Sequence, residues 1–181
     1  MEYLEETQKT SLAHILELIP YKVGKYMLLD RNTRRNLELV ETLREKKKRG
    51  SLLWVLDRTK TAMGARLLRS YIEQPLIHKD EIIRRQDAVE ELNMNYISRE
   101  EICEYLNPVY DLERLIGRIS YKTANPRDMI AFKTSLAWLA PIKTILLECK
   151  DPLLSALQEE LDVLSDIYEL LEDSIVEEPP L

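Results

Sequence analysis

Glycine is the residue a chain needs where its backbone turns sharply or runs left-handed. Here 181 residues contain four: Gly24, Gly50, Gly64 and Gly117. Tight turns are therefore sparse, which excludes an all-β sandwich or barrel. Leucine is the commonest residue, with Glu, Lys, Arg and Ala dominating the rest, a composition of helices. The length suits one compact domain, or one with a small second, and lets about 70% of the unfolded surface be buried. With 45% apolar and 32% charged residues, the chain is too hydrophobic for disorder. The expected fold is mainly α: a multi-helix body with one small N-terminal β-hairpin.

Local patterns place the elements. Residues 2–14 are polar and helix-compatible. Ile15–Ile19 and Tyr26–Leu29 flank Pro20-Tyr21-Lys22-Val23-Gly24, an alternation around a Pro/Gly turn that predicts the hairpin. Asp30 caps a short helix through Arg34, Arg35 and Asn36, and Ser51 caps Leu52–Leu56. Arg44–Gly50 is a basic run without apolar periodicity, hence a loop. Met63, Leu67, Leu68, Tyr71 and Ile72 share one helix face in a helix that starts near Thr59 or Thr61 and stops before Pro75. Asp80 opens a helix reaching Tyr96, another covers Arg99–Leu106, and Asp111 begins a third. Asn125-Pro126-Arg127-Asp128 is a strong helix start, and Pro141 kinks or divides the helix that begins there. Leu153, Leu157, Leu161, Leu164, Tyr168, Leu171 and Ile175 recur at steps of three and four, which predicts one long helix from Pro152 with a heptad-like seam.

Composition also limits function. No apolar run approaches the roughly 18 residues of a membrane span. The start, Met1-Glu2-Tyr3-Leu4-Glu5-Glu6, is acidic and has no signal-peptide core. Cys103 and Cys149 are far apart with no CxxC, so a reduced, cytoplasmic setting is expected. Charge is uneven: residues 1–85 carry 18 basic and 12 acidic side chains, residues 86–181 carry 8 and 20. Such asymmetry marks either a polyanion-facing end or two faces that neutralise each other or a neighbour.

Motifs for chemistry are absent. His14 and His78 have no Cys, His or acidic partner at metal spacing. GxxxxGK[ST], GxGxxG and GxSxG do not occur, and a nucleophilic Cys needs a positioned His. No catalytic, cofactor-binding or metal residue is therefore assigned. Lys46, Lys47, Lys48 and Arg49 offer a weak phosphate contact, without interleaved aromatics for base stacking. Gly64, in mid-helix, costs about 1 kcal/mol against Ala, so a close approach of another helix or loop is expected there. Arg114 and Arg118 lie four apart on one face, suited to a structural ion pair.

Particular strings are more specific. Leu29-Asp30-Arg31-Asn32-Thr33-Arg34-Arg35-Asn36-Leu37-Glu38-Leu39, Gly50–Asp57 and Thr61–Leu68 resemble signatures of the MutS family of DNA mismatch repair proteins. Gln74-Pro75-Leu76, Arg85–Val89, Asp111-Leu112-Glu113-Arg114 and Asn125-Pro126-Arg127-Asp128 continue in that family's order. The resemblance implies the first segment of the core, or lever, domain over residues 15–181, with residues 1–14 as the tail of a connector domain. It implies a piece of a longer protein, since the mismatch-reading Phe-x-Glu wedge, the clamp and the ATPase domain have no counterpart here. In the whole protein it implies ATP and Mg as cofactors. Its implied partners are the clamp, connector and ATPase domains, a second subunit and mismatched duplex DNA. No membrane partner is implied. The implied residues for interdomain packing or relay are Arg34, Arg35, Asn36, Gly64, Arg66, Arg114 and Arg118.

Two rival readings remain at the level of sequence. One is a free-standing helical interaction module whose partner covers the Leu153–Ile175 seam. The other is a DNA-binding domain in its own right, which the net charge of −6 disfavours.

Overall fold

Side-chain caps set the boundaries of the helices. In the computed structural model, which describes residues 24–176, Asp30 accepts the Thr33 amide at 2.7 Å and starts α1 (Arg31–Asn36). Ser51 starts α2 (Leu52–Leu56), accepting from Trp54 N at 3.3 Å while its hydroxyl donates to Lys48 O at 2.7 Å. Thr61 caps α3 (Ala62–Glu73) through the Gly64 amide at 3.0 Å. Two helices follow, α4 (Lys79–Met94) and α5 (Tyr96–Leu106). Asn95 divides them, accepting from Ser98 N, so Tyr96 opens a helix where the sequence pattern placed it at the end of one. Asp111 caps α6 (Leu112–Ser120). Asn125 and Asp128 exchange 2.9 Å bonds with each other's backbone, a capping box at the head of α7 (Pro126–Ala137). Each such cap supplies an acceptor to an amide that has no partner within the helix.

Pro141 acts as its chemistry requires. It has no N–H, and its ring conflicts with the carbonyl four residues earlier, at Ala137. There α7 ends; α8 (Leu139–Leu146) begins after Trp138, whose amide bonds Ser135 O at 3.3 Å in a tightened turn. Asp151 caps α9 (Pro152–Glu160) through the Leu153 and Leu154 amides at 2.8 and 3.2 Å.

The expected long C-terminal helix is two helices. α9 stops at Glu160, and α10 runs over Ser165–Ser174. Between them Asp162 Oδ1 accepts the Leu164 amide at 3.0 Å, and Leu164 sits left-handed at φ +51°, which disfavours a continuing helix by about 1–2 kcal/mol. Lys143 Nζ donates to the Leu161 carbonyl at 2.6 Å, occupying an acceptor that the break leaves open. Apolar spacing runs on through the break, so periodicity alone joined two rods into one.

The β-hairpin is not found among the described residues. Its first arm, 15–19, lies outside them, as do residues 1–14. Its second arm pairs elsewhere: Tyr26 bridges Leu76 in antiparallel fashion, with Met27 N donating to Pro75 O at 2.8 Å and Ile77 N to Lys25 O at 3.4 Å. A residue before proline is steered from helical to extended backbone, so the stretch after α3 offers free backbone groups to the 25–27 strand.

Burial concentrates in two small cores. Ala88 of α4, Cys149 and Leu154 of α9 form one, joined by Leu92, Leu146 and Leu153. Leu115 of α6 with Phe132 and Leu136 of α7 form the other, joined by Leu112, Leu139, Leu164, Ile167, Tyr168 and Leu171. The seam is therefore shared out: α9 packs on α4 and α8, α10 on α7. α8 also packs on α5, and the Tyr105 and Trp138 rings stack 5.6 Å apart at that junction. Both cores are thin. The largest side chains below 2% exposure are Ser51 and Ser135, while Leu28 is 86%, Met94 76% and Ile97 70% exposed.

Residues 126–146 reach a mean hydropathy of 1.2 over an 18-residue window. By length and composition that stretch is therefore apolar enough to cross a membrane, which no unbroken apolar run suggested. Part of it packs inside the protein: Phe132, Leu136, Ile142 and Ile145 are buried, and Lys133 pairs with Glu172 of α10 at 2.6 Å.

Two outcomes are expected. Leu136→Ala, at a 3% exposed position, should destabilise the protein by about 2–5 kcal/mol in chemical denaturation. Leu170→Ala, 62% exposed, should change it by less than about 0.5 kcal/mol. The second concerns Asp57, whose carboxyl the Lys48 ammonium and then Thr59 hold down from 3.8 to about 2. A lowered carboxyl stabilises the fold above its unfolded value and loses that contribution as pH falls through the folded one. The thermal-midpoint gap between wild type and Asp57→Asn should be constant above pH 4 and narrow between pH 4 and about 2.

Candidate functional site

Arg66 and Asp111 are 45 residues apart in sequence, and the fold brings them into one bidentate pair. Arg66 projects from the second turn of α3. Its Nη1 and Nη2 each donate to an Asp111 oxygen at 2.7 Å, and its Nε and Nη2 reach Glu113 Oε2 at 3.0 and 2.5 Å. Parallel guanidinium–carboxylate bonds fix orientation as well as distance. Asp111 has a further duty, since Oδ1 also accepts the Arg114 amide at 3.3 Å and so caps α6. The Arg66 hydrogen bonds, followed by the Arg114 amide, hold the Asp111 carboxyl below its ordinary range despite partial desolvation. The two acids in turn raise the Arg66 guanidinium, so Arg66 and Asp111 hold each other in their charged forms. Its chemistry is that of a tie, with no group poised to exchange a proton.

The residues singled out from sequence fall into three places. Arg66 and Arg114 meet at this node, the Arg114 Nε lying 3.3 Å from Asp111 Oδ2 with its side chain 80% exposed. Arg118 lies one turn on and donates to Asp128 at 2.7 Å, tying α6 to the capping box of α7. Gly64 sits beside Arg66 in α3, but its neighbour is its own cap. A Cβ there would meet Thr61 Oγ1 at 3.1 Å and Thr59 Cβ at 3.5 Å, so the close approach is a loop and not a second helix. α1 stands apart from the node. Arg34 Nε donates to the Leu29 carbonyl at 2.9 Å, and Arg35 and Asn36 are exposed.

The basic loop is more engaged than its sequence suggested. Lys47 pairs with Glu45 at 2.9 Å and Lys48 with Asp57. Lys46 and Arg49 are exposed. Among the described residues, no group of three or more His, Cys, Asp and Glu is arranged to hold a metal ion.

Several ties were not anticipated. Glu91 of α4 accepts the Lys150 and Asp151 amides at 2.7 and 2.5 Å, gripping the turn before α9 from about 60 residues away, and no local pattern announces it. Ser135 accepts from Tyr110 N at 2.9 Å and donates to Ala131 O at 2.8 Å, fixing the loop before α6 against α7. Here a signal existed: a small polar residue beside Leu136 and three residues after Phe132, on the buried side of α7. Arg85 of α4 lies 3.8 Å over the Tyr71 ring of α3, a cation–π contact.

Comparison with known proteins places the sequence in a family. The family profile of MutS domain III matches residues 32–181. The DNA mismatch repair protein MutS of Lachnoclostridium phytofermentans is 61% identical over 181 residues, all of this chain and 19% of that protein. The protein of the same name from Caldanaerobacter subterraneus subsp. tengcongensis is 54% identical over 179 residues, 99% of this chain and 21% of its own length. That of Acetivibrio thermocellus is 49% identical over the whole chain, again 21% of its length. The chain spans about a fifth of the curated relatives it matches. The chain belongs to the MutS family and carries its domain III.

Proposed function

We propose that this segment is the rigid core of a DNA mismatch repair protein, joining a DNA-holding clamp to an ATPase domain and passing conformational state between them. In this reading residues 15–181 are the first part of the core and residues 1–14 end a connector domain. The complete bacterial protein works in the cytoplasm as a dimer on mismatched duplex DNA, with ATP and Mg bound in its ATPase domain. The segment itself performs no chemistry.

The observation that carries the reading is the Arg66 node. A bidentate bond between residues 45 apart ties α3 to the head of α6, and a fixed tie of this kind suits transmission of a rigid displacement. The interaction-module alternative loses its main feature, since the seam it needed is divided between two cores.

The test is made in the full-length protein. Arg66→Met should leave basal ATP hydrolysis in place while weakening the coupling between mismatch binding and nucleotide turnover by about fivefold or more. Arg66→Lys keeps the charge but loses the fork and should show an intermediate loss. Gly64→Leu, which forces the Thr61 cap to move, should lower both coupling and thermal midpoint. Wild-type coupling in all three variants, with the midpoint unchanged, would sink the relay.

A further inference from the structure

Residues 24–60 hold eleven Lys and Arg against five Asp and Glu, and the loop at 42–50 shapes part of that charge into a cavity. The loop is built, not loose. Thr42 N donates to Lys47 O at 3.0 Å, Lys46 N returns to Thr42 O at 3.1 Å, and Leu43 N donates to Glu38 Oε1 at 2.6 Å. Lys46 and Gly50 take left-handed backbone at φ +49° and +95°, which closes the ring of bonds. A cavity of about 690 Å³ opens there, lined by Arg44, Arg49, Lys47, Glu45 and Glu38 among others.

The charges in that cavity do not cancel. Lys47 is neutralised by Glu45 at 2.9 Å, and Glu38 accepts the Leu43 amide but keeps its negative charge, so the three cations and two carboxylates of the lining leave it at net +1. Arg44 and Arg49 have no carboxylate partner among the described residues. Arg44 and Arg49 are both exposed on the lining of this cavity, and a planar guanidinium fork matches two oxygens of a phosphate. The surrounding excess of basic residues raises the local concentration of anions.

We propose that Arg44 and Arg49 form a phosphate seat in the 42–50 loop. The ligand is a phosphate group, supplied either by a nucleic-acid backbone or by free phosphate. Of the four residues the sequence offers for phosphate, Lys46, Lys47, Lys48 and Arg49, this keeps Arg49 and adds Arg44, while Lys47 and Lys48 face acids of their own. The seat is independent of the relay, since it is read by binding and the relay by coupled ATP turnover.

The test uses the full-length protein and its Arg44→Ala/Arg49→Ala variant, with equal thermal midpoints as the check on folding. Binding of a short, perfectly paired DNA duplex is measured across salt concentrations, and inorganic phosphate is titrated with arginine side-chain NMR as readout. A seat for one backbone phosphate should lower the slope of log affinity against log salt by about 1 in the variant. Loss of the phosphate-induced shifts, with duplex binding unchanged, supports the seat with free phosphate as its source. An Arg44→Lys/Arg49→Lys variant should keep the slope and bind less tightly than wild type, because charge survives and the fork does not. The proposal is overturned if both duplex slope and phosphate titration match wild type. It is equally overturned if the alanine variant loses only the binding of a poly-glutamate peptide, since the surface then serves an acidic protein.

Discussion

Asp111 is bound twice, and the arrangement of the helices depends on that double use. One oxygen terminates the backbone of α6, and the carboxylate as a whole receives the guanidinium of α3. A carboxylate has room for both because it accepts several hydrogen bonds at once. The result is that the start of α6 and the position of α3 are set by one group. The same economy recurs at Asp128, which closes the α7 capping box and takes Arg118. Asp151 repeats it in a third place, capping α9 with its side chain while its own amide is held by Glu91. Helix ends are where unpaired amides and a positive dipole accumulate. Acids gathered there attract distant cations, so helix ends become the joints of the domain.

Such joints matter because the apolar contacts are narrow. Phe132 and Leu136 anchor one core and Leu154 the other, and neither core encloses a large side chain completely. Burial brings the helices together, while its energy depends weakly on their exact angle. The directional groups, arginine forks and caps, select one angle. Removal of a joint is therefore expected to loosen geometry before it unfolds the chain.

This division explains how much was readable in advance. Asp30, Ser51, Asp111 and Asn125 were legible at helix starts, and Thr61 as one of two candidates with Thr59, because a cap acts on an amide two or three residues away. The break near Pro141 was legible for the same reason, since proline affects a carbonyl four residues back. Partners were not legible. Nothing near Arg66 names Asp111, and nothing near Glu91 names the turn at 150–151. Periodicity failed at Leu164 because a left-handed residue changes direction without changing the spacing of leucines. For Tyr26 it says that a strand pairs but not with what, and the partner seen among the described residues is Leu76. In the basic run Arg44–Gly50 the sequence points to Lys46, Lys47, Lys48 and Arg49, yet the two guanidiniums of the run, Arg44 and Arg49, are the ones without acids among the described residues. Only the fold shows which cations are already answered.

The turn at Leu164 has one further consequence. In a continuous helix each added residue rotates everything beyond it by about 100°, so one insertion would carry a whole leucine seam away from its partner. The non-helical stretch 161–164 interrupts that bookkeeping of phase. α9 keeps its register on the first core and α10 on the second, with Leu161 O held by Lys143 and Leu164 packed on the second core. The two ends of the seam are separate units, each answering to its own core.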